Sequence, residues 1–269
     1  MIFSCRDKKV DCSGETLIMG IINVTPDSFS DGGDFADANV AVKHAEKLLA
    51  DGANILDFGA QSTRPGHTPV SAEEEISRLE AVIPVARRIT DKPISVDTYY
   101  PEVAKKVIEW GADIINDVSG VFNDEMAEIV KQSGAGWIIM HSGAGSINEV
   151  KEFFIESAEK CEAFGIDKSQ ICFDMGIGFG KTRKQDLELL AGIKQYKLSS
   201  YPLLLGTSRK RVIGEYSGQT EPKSRTYGNI AADTMAILGG ADIIRIHDVE
   251  NEKQGIKMAY ALAKQYEAL

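Results

Sequence analysis

GADIINDV at positions 111–118, echoed by GANILDFG at 52–59 and GADIIRIH at 240–247, is the stretch that decides the fold. Each copy opens with a glycine placed to end a helix in a left-handed conformation; two residues then turn the chain into a strand with β-branched residues. The same helix-to-strand joint is therefore used three times. Around it, apolar runs alternate with amphipathic stretches along the whole chain. The predicted strands are 17–22, 54–58, 94–96, 113–115, 137–140, 171–173, 202–205 and 242–246. The predicted helices are 40–50, 72–88, 101–110, 124–132, 148–164, 184–193, 225–238 and 252–265. Strict alternation implies parallel strands joined by crossover helices. An open doubly wound sheet is the alternative. The count of eight, and the lack of a nucleotide-binding fingerprint after the first strand, favour an α/β fold closed as a single (β/α)8 TIM barrel.

A chain of 269 residues matches one such barrel, which typically runs to about 250, so residues 1–269 are read as one domain. The formal charge of -10 and the scattered basic residues offer no footprint for a phosphate backbone, which argues against a nucleic-acid partner. The longest apolar runs fall far short of the roughly 20 residues that span a bilayer, and residues 1–15 carry no apolar signal region. The expectation is a cytoplasmic protein without a membrane partner. Cys5, Cys12, Cys161 and Cys172 form no CxxC pair and have no histidine at zinc spacing, and are read as reduced, buried thiols.

Polar residues stand at the end of every predicted strand. The runs close on or lead to Asn23, Asp57, Asp97, Asn116, His141, Asp174, the Ser208-Arg209-Lys210 segment, and Arg245 with His247. One such residue is ordinarily a turn former or a cap. Eight at the same end of a parallel barrel describe a polar ligand pocket, because a packed barrel has no structural use for them. Asp97, Asn116 and Asp174 suit the edge of a heterocycle that carries amino and ring N–H groups. Lys210, Arg64, Arg245 and His247 supply positive charge for a phosphate-like group. A flat, nitrogen-rich ring with an anionic tail fits both sets.

Two post-strand loops, 23–35 and 59–71, are long and rich in Gly, Pro, Ser and Thr, and carry Phe29, Asp31 and Arg64. Loops of that kind are more often lids or binding loops than connectors. MGIGFGKT at 175–182 imitates a phosphate-binding loop, but that pattern needs glycine where Met175 stands. Its glycines are read instead as letting backbone pass close to a ring bound beside Asp174.

NVTPDSFSDGG at 23–33, STRPG at 62–66, SVDT at 95–98, GADIINDVSG at 111–120, GIGFGKT at 176–182, GTSRKRVIG at 206–214 and RIHDV at 245–249 together resemble the dihydropteroate synthase family. They occur in family order and span almost the whole chain. The first and the SRK segments are specific to that family; SVDT and INDVSG are shared with wider pterin-binding barrels. The resemblance implies condensation of 4-aminobenzoate with 6-hydroxymethyl-7,8-dihydropterin diphosphate, giving 7,8-dihydropteroate and pyrophosphate for folate synthesis. It also implies a barrel, Mg2+ as cofactor and a homodimer.

Carried across residue by residue, the resemblance puts Asp97, Asn116, Asp174 and Lys210 on the pterin, with Arg245 flanking the ring and reaching toward the diphosphate. It gives Asn23 to the metal, and Thr63, Arg64 and His247 to the diphosphate. Arg64, Lys210 and Asp97 are the candidate catalytic residues, and Phe29, Thr63 and Pro65 border the 4-aminobenzoate. Arg211 is placed by its position after Lys210 as a partner for the benzoate carboxylate. Three segments depart from the family pattern. The loop MHSGAGSINEV at 140–150 is short, Met175 replaces a proline after Asp174, and Asn229 stands where a small hydroxyl residue is usual. The competing readings are a methyltetrahydrofolate:corrinoid methyltransferase and a divergent or non-catalytic pterin-binding paralogue.

Overall fold

The computed structural model describes residues 1–24, 34–61 and 69–267. Its centre is a closed barrel of eight parallel strands. They are β3 (Leu17–Asn23), β4 (Ile55–Gly59), β5 (Ile94–Asp97), β6 (Ile114–Asp117), β7 (Gly136–Met140), β8 (Ile171–Asp174), β9 (Leu203–Leu205) and β10 (Ile243–Ile246). The alternative of an open sheet is thereby excluded, since β10 pairs with both β9 and β3. The crossover helices are α1 (Asp34–Asp51), α2 (Ala72–Glu80), α3 (Ile83–Ile89), α4 (Pro101–Glu109), α5 (Asp124–Ser133), α6 (Ile147–Phe164), α7 (Arg183–Ala191), α8 (Ile193–Tyr196), α9 (Arg211–Ser217), α10 (Thr226–Gly239) and α11 (Val249–Glu267). No described helix is long and apolar enough to cross a membrane.

The repeated joint works as its residues dictate. Gly52, Gly111 and Gly240 have φ of +111°, +109° and +98°, the left-handed region that costs a side chain energy. The third residue of each copy then reaches back to the neighbouring strand. Asn54 Oδ1 accepts from the N–H of Ile18, Asp113 Oδ2 from that of Ile94, and Asp242 Oδ2 from that of Leu203, at 2.8–2.9 Å. These polar groups pin the amino ends of the strands. Arg87 and Lys8 pair with the buried Asp113, and Lys197 with the partly buried Asp242, so both carboxylates keep countercharges.

Both faces of every barrel strand are covered, and side-chain alternation divides them. Ile22, Leu56, Phe58, Val96, Ile115, Ile139, Phe173, Leu205 and Ile244 pack outward in the main core, against the helices. Met19, Ile55, Ile114, Ile138, Cys172, Leu204 and Ile243 point inward and form a second cluster at the lower end. A hairpin that the strand pattern did not predict, β1 (Ile2–Cys5) with β2 (Lys8–Asp11), closes this end by inserting Phe3, Cys5 and Val10 into the cluster. Arg6 locks the plug in place: its N–H donates to the Gly134 carbonyl at 2.7 Å, and its guanidinium to those of Ile108 and Ala112. All four cysteines are free and buried, as expected.

The continuous helix expected over 72–88 is two helices, α2 and α3. Pro84 sits in the first turn of α3, where its missing N–H is harmless, and would have broken an uninterrupted helix.

Candidate active site

Alternation that sends Ile55, Ile114, Cys172 and Ile243 inward at the lower end sends Asp57, Asn116, Asp174 and Arg245 inward two residues later. Asp97 joins them from β5. The register aligns Asn23 with Gly59, Gly59 with Asp97, and Asp97 with Asn116, so these residues form one row at the carboxyl rim. The upper layer of the barrel is thus polar, resting on an apolar layer below.

Arg245 organises this layer. Its Nε donates to Asp57 Oδ2 at 2.6 Å and its Nη2 to Asp97 Oδ2 at 2.9 Å. Asp57 is fully buried, and its second oxygen has no partner. Asn116 Nδ2 lies 3.4 Å from the same Asp57 Oδ2, and Asn116 Oδ1 is also buried without a donor. Burial pushes Asp97 up to about 7, against the pull of Arg245 and with the repulsion of Asp57 and Glu75 added. Glu75, on α2, is buried behind this group; it accepts from Thr98 Oγ1 at 2.8 Å, and burial pushes it up to about 7.

On the opposite side, Asp174 Oδ1 accepts from the Gly176 N–H at 2.8 Å, and burial raises its carboxyl while the Lys210 charge opposes. Lys210 Nζ donates to the Ile177 carbonyl at 2.5 Å and lies 4.8 Å from the centre of the Phe179 ring. Burial lowers its ammonium to about 8, with the Asp174 charge opposing. Orphaned acceptors on one wall and a desolvated cation on the other are complementary to a ligand that donates from a ring edge.

The glycine-rich segment 176–180 packs closely against its neighbours in the fold. Gly176, Gly178 and Gly180 all have positive φ. A Cβ on Gly176 would come within 2.0 Å of the His141 carbonyl oxygen, and one on Gly180 within 2.6 Å of Gly143 Cα. Gly176 and Gly180 therefore admit the short loop after β7, while Gly178 leaves room for the Lys210 side chain. Lys181 fixes the junction: it is buried, and its Nζ donates to the carbonyls of His141 and Gly176 at 3.1 and 3.0 Å. His141, counted among the strand ends, turns away from the row; its ring packs edge-on to Phe153 of α6 and against Gly145. Met175 is fully buried in the outer core, which accounts for an apolar residue after Asp174.

After β9, residues 207–210 make a tight turn closed by the Lys210 N–H on the Thr207 carbonyl at 3.0 Å. Its third residue, Arg209, has φ of +61°. Arg225 braces the strained turn, with Nη1 donating to the Arg209 and Lys210 carbonyls at 2.7 and 3.2 Å. Ser208 Oγ accepts from the His247 N–H at 3.2 Å and lies 3.0 Å from His247 Nδ1, joining this turn to the end of β10. Arg211 opens α9 with an exposed side chain. The remaining candidates, Phe29, Thr63, Arg64 and Pro65, lie outside the described residues.

A family model described as "Pterin binding enzyme" matches residues 19–247. A curated dihydropteroate synthase from Synechocystis sp. is 41% identical over 265 residues, which covers 94% of this chain and 92% of the relative. The chain belongs to the dihydropteroate synthase family.

Solved structures of the family superpose closely. The Clostridium difficile enzyme, crystallised in the presence of pteroic acid, is 42% identical, with a TM-score of 0.90 over 94% of this chain and 98% of that one. The Xanthomonas albilineans enzyme with 4-aminobenzoic acid is 37% identical, with a TM-score of 0.91 over 97% and 98%. Within this family fold, Glu75 and Arg225 are residues that strand-end reasoning passed over, and Asp57, named among the strand ends, was given no role there. Asp57 carried a signal, as a strand-end acid inside the first echo, but its pairing with Arg245 joins positions 188 residues apart.

Proposed function

We propose that the inward row at the carboxyl rim is the pterin pocket of a dihydropteroate synthase, which condenses 6-hydroxymethyl-7,8-dihydropterin diphosphate with 4-aminobenzoate. The observation that carries this is the pairing of buried, donor-less oxygens on Asp57 and Asn116 with the desolvated Lys210 across the mouth. A pterin offers amino and ring N–H groups to the first and a carbonyl or ring nitrogen to the second. Asp97, Asn116 and Asp174 orient the ring, and Arg245 is fixed beside them by two carboxylates.

In the reaction, the bond from the exocyclic carbon to the diphosphate oxygen breaks, the arylamine nitrogen bonds to that carbon, and the nitrogen loses a proton. Arg245, His247, Thr63 and Arg64 are assigned to the charge that grows on the leaving diphosphate. Phe29, Thr63 and Pro65 are assigned to the arylamine, with Arg211 toward its carboxylate. Exclusion of water from the electrophilic carbon is assigned to the long loops 23–35 and 59–71.

Magnesium fits the donors present. The rim offers a neutral amide oxygen on Asn23, at the end of β3. That suits a cation bound by one or two protein oxygens and completed by substrate phosphates. When bound, it neutralises charge on the diphosphate.

Equilibrium binding tests the pocket. Asn116→Ala is expected to weaken pterin binding by about a hundredfold, since it removes both groups of a buried amide. Equal affinity for wild type and variant would place the pterin elsewhere.

A further inference from the structure

Behind the Ser208–Lys210 turn, away from the ligand pocket, lie two carboxyl groups for which the reaction has no use. Asp233 of α10 and Glu252 of α11 are each 1% exposed. Asp233 Oδ1 accepts from Thr207 Oγ1 at 2.8 Å. The charges of the two carboxyl groups act on one another, and Asp233 Oδ2 and Glu252 Oε2 are both buried without a donor. Two ionised carboxylates so placed would repel in a medium that screens them poorly, and each would leave a lone pair unsatisfied.

We propose that Asp233 and Glu252 share one proton, and that this acid pair is a positioning device that holds Thr207, and through it the turn carrying Ser208 and Lys210, against the His247 end of β10. One proton between Oδ2 and Oε2 satisfies both orphaned atoms. The remaining surroundings are consistent. Thr207 donates from the β9 side, the Asn229 amide faces Glu252 from α10, Asp248 adds negative charge before α11, and Arg209 is the cation whose charge reaches the pair. Burial raises both acids, and Asp248 pushes Glu252 up further.

The geometry gives the pair a purpose. Arg209 at φ +61° is strained, and such backbone persists only where its surroundings over-determine it. Arg225 holds the turn from one side through the Arg209 and Lys210 carbonyls; Asp233 holds it from the other through Thr207. Asn229, the departure from the family's small hydroxyl residue, belongs to this polar cluster: it is 1% exposed beside Glu252.

The effect on catalysis rests on the assignment of Lys210 and His247 to the substrate. Loss of the shared proton at alkaline pH puts a second buried charge in the pair, which drives the carboxylates apart and loosens Thr207. Asp233→Asn keeps the acceptor for Thr207 and supplies a permanent N–H to Glu252. Relative to that variant, the wild-type KM for the dihydropterin diphosphate is expected to rise about fivefold between pH 7 and pH 9, the scale of one hydrogen bond, with little change in kcat.

Two readouts decide the matter. Infrared difference spectra at pH 6.5, wild type minus Asp233→Asn, are expected to show the carbonyl stretch of an un-ionised carboxylic acid, whatever the activity. Thr207→Val, which cuts only the link to the turn, is expected to raise KM about tenfold at pH 7 while the infrared band stays. Absence of the acid band overturns the shared proton, and an unchanged KM in Thr207→Val overturns the positioning role. Loss of arylamine-dependent pyrophosphate release in the wild type would instead refute the assigned reaction and leave the infrared result standing.

Discussion

Arg245 Nε donates to Asp57 Oδ2 at 2.6 Å, joining β10 to β4 across the intervening β3 with the carboxylate fully buried. The same guanidinium reaches Asp97, so one cation holds two acids at the floor of the pocket. Arg245→Leu is expected to destabilise the fold by about 3 kcal/mol, because it leaves two desolvated carboxylates without countercharge. Chemical denaturation measures that loss. Arg245→Lys keeps the charge but not the two-pronged geometry, and should recover stability better than it recovers pterin affinity.

The glycine segment separates packing from ligand contact. Gly176→Ala places a methyl group against the His141 carbonyl at positive φ, and is expected to cost more than 2 kcal/mol, on the scale of overpacking plus backbone strain. Gly178→Ala meets the Lys210 side chain at 3.3 Å, which a flexible stem can relieve. That variant should lose less stability and more affinity for the pterin, as read by thermal melts beside titrations.

Much of this was legible in the sequence because alternation and strand-end polarity are local. The three glycine joints, the eight strands and the row Asp97, Asn116, Asp174 and Arg245 follow from patterns a few residues long. The hairpin β1–β2 was missed because its two-residue turn, Arg6-Asp7, carries no glycine or asparagine, yet Arg6 takes φ of +61°. Helix α9 was missed because it is only seven residues and includes Gly214. Which polar residues face inward was hidden for another reason. Strands covered on both faces show no apolar–polar alternation, so Asp117, beside Asn116, looks equivalent although it points outward to Trp137 Nε1 at 3.3 Å.

Glu75 supplies a pH test of the fold. Its folded carboxyl is raised to about 7 by burial, so its contribution to stability is full below the unfolded value near 4.5 and is lost as pH rises through 7. Glu75→Gln removes this dependence. Between pH 4.5 and pH 8 the wild type should lose on the order of 3 kcal/mol relative to the variant, measured by urea denaturation at each pH.

Phe3 tests the barrel plug apart from chemistry. It is fully buried in the lower cluster, and Phe3→Ala should destabilise by about 3–5 kcal/mol. Substrate KM values for the folded fraction should be unchanged, since the plug lies at the opposite end from the pocket.

The central claim is that the rim catalyses arylamine-dependent departure of pyrophosphate. Purified protein with magnesium, dihydropterin diphosphate and 4-aminobenzoate should release one pyrophosphate for each dihydropteroate formed, and Lys210→Ala should slow this by about a hundredfold or more. Folded wild type that binds the dihydropterin diphosphate but releases no pyrophosphate, or releases it equally fast without 4-aminobenzoate, would contradict the account.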